Sequence, residues 1–158
     1  MEELYAYRTD LITALGGVVD ELAKIVNRLD ASQWRLAINP AGHTPHYILF
    51  HLDALESQFF ATQLPRILAE ETPTLPVFED RSWMADHYRL TEPPSAILGE
   101  FGELRHQELA WIYKIPPALW CRMARHPWWG LHAFQWWVEL QADYSYQHLK
   151  QLSSLLDI

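Results

Sequence analysis

The sequence predicts an all-α four-helix bundle with a long connection between its second and third helices. Apolar residues recur at intervals of three and four over four separate stretches, the period of a helix with one buried face. No stretch shows the two-residue alternation of a half-buried strand, and no repeat or low-complexity tract competes. At 158 residues, 49% hydrophobic and 20% charged, the chain reads as one domain over residues 1–158, long enough to bury about 70% of its unfolded surface.

The first stretch runs from Glu2 to Asp30, with Leu11, Leu15, Val18, Leu22, Ile25 and Leu29 on its buried face. Gly16 and Gly17 fall off that face, which points to close packing or local strain and not to a break. The second opens at Thr44-Pro45, an N-cap hydroxyl followed by proline at the first helical position. It buries Ile48, Leu52, Leu55 and Phe59, and Pro65 is expected to end or kink it. From Pro65 to Pro94 the chain holds five prolines and no sustained period, so it reads as a connection, with a short helix over Asp80 to Tyr88. The third stretch, Ser95 to Tyr113, buries Ile97, Phe101, Leu104 and Ile112. The fourth, Leu131 to Leu156, buries Phe134, Trp137, Leu152 and Leu155. Between them IPPALWCRMARHPWWG reads as a Pro- and Trp-rich loop.

Charge and composition exclude several functions. Lys and Arg number 12 against 20 Asp and Glu, a net charge of −8, with no basic run. Phosphate contacts need clustered cations, so no nucleic-acid partner is expected. No apolar run approaches the roughly 18 residues of a membrane span. The start, MEELYAYRTD, lacks the charged-then-apolar pattern of a signal peptide. Cys121, the one cysteine, cannot form an internal disulfide; it suits a reducing cytoplasm and reads as a small buried hydrophobe.

Chemistry is expected where polar residues occupy core positions. Gln141, Tyr144 and His148 share the apolar stripe of the fourth helix, whereas Asp143 projects to solvent. Buried polar groups left unpaired cost about 1–3 kcal/mol each, so either a polar network or a ligand must satisfy this ladder. On the second helix His51 and Glu56 lie at opposite edges of the apolar stripe, facing a cleft or the boundary. On the third, Glu108 lies in the apolar arc with Arg105 beside it, which reads as an internal ion pair at helical spacing or as a substrate contact. Glu103 and His106 match a Glu-x-x-His spacing, but there is no second copy and both project away from the core, so a di-iron site is rejected. His43, His46 and His51 are close in sequence, yet His46 and His51 point about 140° apart on a helix and cannot share a metal. His126 and His132 receive no assignment.

The segments TPHYILFHLDALESQFF and ALWCRMARHPWWGLHAFQWWVELQADYSYQHLKQL resemble the DinB-like superfamily of metalloenzymes, also called DinB/YfiT-like. The order of pieces agrees over essentially the whole chain: a long first helix, a Trp after it (Trp34), a second helix with His-Leu-x-x-x-Glu, an Arg-bearing third helix, a His-Pro-x-x-Gly turn and a last helix ending His-Leu-x-Gln-Leu. The resemblance implies a bundle holding a divalent metal, Zn or Ni, on three histidines. Carried over, the ligands are His51 and His148, and the third position is Tyr144 instead of histidine. It also implies a thiol-dependent transferase or a hydrolase, with a low-molecular-weight thiol as a partner. A phenol ionises near pH 10, so Tyr144 either weakens or abolishes metal binding or completes a two-His, one-Tyr site; Glu56 is a further ligand option.

Three functions follow: a metal-dependent enzyme activating water or a thiol, with Tyr144 as ligand or proton donor and Glu56, Arg105, Glu108 and Gln141 around the pocket; a metal-free small-ligand binder; or an interaction protein forming a homodimer through Trp128 and Trp129.

Overall fold

Four long helical stretches stand side by side, as the periodicity requires. The computed structural model describes residues 1–157. Helix α1 (Glu2–Arg28) and helix α2 (Pro45–Leu55) are joined by a short 3₁₀ turn at Gln33–Arg35. Thr44 caps α2, its hydroxyl accepting the Tyr47 N–H at 3.1 Å. A turn of π-helix over Glu56–Phe60 carries α2 directly into α3 (Ala61–Ala69). Pro65 therefore does not end this stretch; the irregularity lies in the widened turn before it, a feature often found beside functional sites. The connection that follows holds α4 (Asp80–His87), within one residue of the expected short helix, and leads to α5 (Pro94–Ile112) and α6 (Phe134–Ser153). Leu155 lies beyond α6, half-buried in a closing 3₁₀ turn.

The Pro- and Trp-rich loop departs from expectation. It contains a two-stranded antiparallel hairpin, β1 (Met123–His126) and β2 (Gly130–Ala133), so the fourth helix begins at Phe134 and not at Leu131. The strands are too short to display a period. Gly130 supports the turn at φ +79, a left-handed conformation that glycine adopts without steric cost. The connection adds a further bridge: Leu75 donates to the Arg125 carbonyl at 2.7 Å, and Arg125 donates back to Pro73 at 2.9 Å.

Two apolar clusters form the core. One surrounds Trp120, Phe134 and Trp137 at the hairpin end, and the other surrounds Ile25, Trp34, Leu49 and Ile97. Helices α1 and α5 pack closely, since a Cβ on Gly102 would lie 3.2 Å from the Val19 side chain and one on Gly16 would touch Leu109 at 3.4 Å. Arg105, not Leu104, occupies the core position of α5; Leu104 is only half-buried. Cys121 is exposed, contrary to the buried role expected of it. No helix among the described residues is long and apolar enough to cross a membrane.

Candidate functional site

Between the two apolar clusters runs a polar layer built from α2, α5 and α6. Glu56, at the start of the π turn, accepts from Arg105 Nε at 3.2 Å and Nη2 at 2.8 Å, and from Gln141 Nε2 at 3.0 Å. Arg105 also donates to the Leu15 carbonyl at 3.0 Å and to Ser145 Oγ at 2.9 Å, and its guanidinium lies over the Phe101 ring. Gln141 donates to Glu108 as well. All five polar residues are buried, Arg105 and Gln141 completely.

This layer corrects two expectations. The buried carboxylate partner of Arg105 is Glu56 from another helix, not Glu108 three residues along its own. Glu56 is no edge residue either, because α2 is covered on nearly every side and has no solvent-facing stripe. Burial pushes the Glu108 carboxyl well above its ordinary range, and the neighbouring Glu56 charge reinforces this. Glu108 thus holds its proton, and the layer contains one carboxylate for its one guanidinium.

One turn beyond Ser145, α6 presents His148. Its Nδ1 lies 2.6 Å from the Tyr144 carbonyl, which can only accept, so Nδ1 carries the hydrogen and Nε2 a lone pair. Opposite stands His51 from α2. Its Nε2 lies 2.9 Å from Asp80 Oδ2, so the proton sits on Nε2 and the lone pair on Nδ1. His51 Nδ1 and His148 Nε2 face each other at 2.9 Å. With both rings neutral two lone pairs oppose each other, a contact that a proton on one of the facing nitrogens, or a divalent ion bound by both, would relieve. Burial lowers the His148 pKa to about 4, which keeps its nitrogen free to donate at neutral pH.

The second ring nitrogen of each histidine is thereby oriented by a carbonyl or a carboxylate, the arrangement that typically surrounds metal-bound imidazoles. Each ring thus leaves one nitrogen that could ligate a divalent ion, two donors in all. Tyr144 supplies less: it is half-buried against Phe60 and Trp129, and burial and the Asp80 charge both raise its phenol above the usual 10, so it stays protonated. Glu56 is committed to Arg105 and is no ligand substitute. Among the described residues, no three His, Cys, Asp or Glu side chains converge to hold one ion.

Asp80 and Tyr144 also line a small cavity of about 60 Å³, together with Phe59, Phe60, Trp129 and His126. His126 Nδ1 accepts the backbone N–H of Trp128 at 3.1 Å, which leaves the ring hydrogen on Nε2, buried and without a partner among the described residues. Trp129 folds inward, stacked on His126, so only Trp128 of the pair is prominently exposed. His43 and His46 take separate partners: His43 pairs with Asn39, and His46 with Tyr88 and the Glu92 carbonyl. Glu103, His106 and Asp143 are exposed, as their helical projections require.

Sequence reasoning missed Asp80, Ser145 and His126. Asp80 lies in the proline-rich connection, where an acidic residue opening a short helix carries no specific signal. Ser145 lies on the same inward arc as Gln141 and His148, and projection could have found it.

No family model and no curated protein matches the chain. Among solved structures it is similar to YfiT from Bacillus subtilis, described as a probable metal-dependent hydrolase with an unusual four-helix bundle topology. The TM-score is 0.85 and the identity 21%, over 95% of this chain and 87% of that one.

Proposed function

With the DinB/YfiT-like four-helix fold as premise, we propose that this chain is a metal-dependent hydrolase acting on a small molecule, with His51 and His148 holding a divalent ion, Zn or Ni. The observation that carries this is the pair of imidazole nitrogens facing each other over 2.9 Å, each ring oriented from behind. A bound ion would acidify a coordinated water, or a low-molecular-weight thiol if the reaction is a transfer.

The chain's own groups supply the rest. Asp80 holds the His51 proton on Nε2, which leaves Nδ1 free to ligate, and its carboxylate offsets the charge of a bound ion. Tyr144, protonated, places an O–H donor at the cavity wall, suited to hydrogen-bond a substrate oxygen or to protonate a leaving group. The unpartnered His126 N–H offers a second donor at the same cavity. The cavity wall is mostly aromatic, which lowers the local polarity around these contacts. The setting is cytoplasmic, where one exposed cysteine suits a reducing compartment, and exposed Trp128 is the anchor of a homodimer.

Elemental analysis of protein purified without chelator tests this, alongside His148→Ala and Tyr144→His. Near-stoichiometric metal in the wild type, lost in His148→Ala and bound more tightly in Tyr144→His, is expected. A wild type that stays empty when supplied with Zn²⁺ or Ni²⁺ would refute the metal reading. If Tyr144→His alone then loads, the residual function is metal-free binding by a site short of one ligand.

A further inference from the structure

A second cleft opens on the other side of α2, about 200° round the helix from His51. Its volume is about 240 Å³, and it is walled by α2, α4, α5 and the connection before α5. Asp53 lies at its base. That residue is only 8% exposed, its Oδ1 is fully buried, and its carboxylate takes no hydrogen bond among the described residues. Buried carboxylates are ordinarily paired, so this one lacks the partner its burial demands.

The surroundings indicate what that partner is. Glu92 and Glu100 line the same cleft, giving three acidic groups, and Arg89 is the nearby cation. Arg89 is turned outward, 65% exposed and 3.7 Å from Glu92, and so leaves Asp53 unneutralised. Phe50 and Trp83 form an aromatic wall with ring centroids 6.2 Å apart, a surface that favours organic cations and their methylenes. The rim is fixed: His46 donates from Nε2 to the Glu92 carbonyl at 2.6 Å and accepts the Tyr88 hydroxyl on Nδ1 at 2.7 Å. The acidic groups do not meet at a point where one metal ion would sit. Separated carboxylates around an aromatic wall suit an elongated cation with charge at both ends.

We propose that this cleft binds a short aliphatic diamine, with one ammonium on Asp53, the other toward Glu92 and Glu100, and the methylenes against Phe50 and Trp83. The site is independent of the histidine pair. Titration calorimetry of the full chain with 1,4-diaminobutane at pH 8 and low salt tests it, with butylamine as the single-charge comparison. Saturable one-to-one binding is expected. It should be at least tenfold weaker for butylamine and for Asp53→Asn, several-fold weaker for Glu100→Gln, and unchanged in His148→Ala. Equal binding of butylamine and diamine, or wild-type affinity in Asp53→Asn, would overturn the proposal, as would the absence of saturation. Glu100 is exposed, so Glu100→Gln decides the matter should Asp53→Asn fold poorly: wild-type affinity there refutes the site.

Discussion

Replacing Arg105 by Met tests the central polar layer most directly. The guanidinium is completely buried and donates to Glu56, Ser145 and the Leu15 carbonyl. Its removal strands the Glu56 charge, and breaking one side of a buried pair costs about 3–5 kcal/mol. The orphaned Leu15 carbonyl adds about 1 kcal/mol, while methionine restores part of the packing. A net loss of about 4–5 kcal/mol corresponds to a Tm lowered by about 10–20 °C in a chain of this size. Glu108→Gln is the diagnostic partner. Because Glu108 already holds its proton, an amide in its place should cost about 1 kcal/mol or less. Urea unfolding of both variants at pH 7 measures the contrast. Equal destabilisation by the two would refute the assignment of the ionised pair to Glu56 and Arg105, and would favour the helical-spacing pair of Arg105 with Glu108.

Two further outcomes follow from the same geometry. In chelator-treated protein, His148 takes up a proton near pH 6.5 when unfolded but only near pH 4 when folded, so the unfolded state binds more protons between those values and stability falls with acidification through that window. The loss attributable to this group is about 3 kcal/mol by pH 4, and His148→Gln should lack it in denaturant titrations run from pH 7.5 to 4. Exposed Cys121 should react fully with a thiol reagent such as Ellman's in the native state, without denaturant; protection until unfolding would contradict its surface placement.

The helices were legible because each long one carries its period in residues that do bury: Leu15, Leu22 and Ile25 on α1, Phe101 and Ile112 on α5, Trp137 and Leu152 on α6. Projection failed where a helix has no exposed side. On α2 an angular edge was read for Glu56, yet neighbours cover both edges, and the π turn shifts the register after Leu55. It failed again at the hairpin, whose four-residue strands give each face only two side chains. The partner of Arg105 was missed for a related reason: sequence spacing reveals neighbours on one helix, whereas Glu56 comes from another. The inward placement of Gln141 and His148 was legible, and so was the need for partners. What divided the ladder was out of reach of the sequence: Gln141 joins the polar layer, His148 meets His51, and Tyr144 turns to the aromatic cavity.

The tyrosine where the resemblance implied a histidine weighs less on this site than the substitution suggests. His148 is oriented by the backbone carbonyl of Tyr144, which any side chain at that position would leave in place. His51 is oriented by Asp80, which belongs to a different element altogether. The devices that aim both lone pairs are therefore insensitive to the identity of residue 144, and the substitution changes the number of ligands without changing the direction of the remaining two. It leaves the local charge balance as it was: a protonated phenol, like a neutral imidazole, brings no charge, and Asp80 on His51 is the carboxylate that would offset a dication there. An ion held on this pair would keep open coordination positions. Restoring histidine at 144 separates these effects, because it adds a ligand and leaves both orienting acceptors untouched.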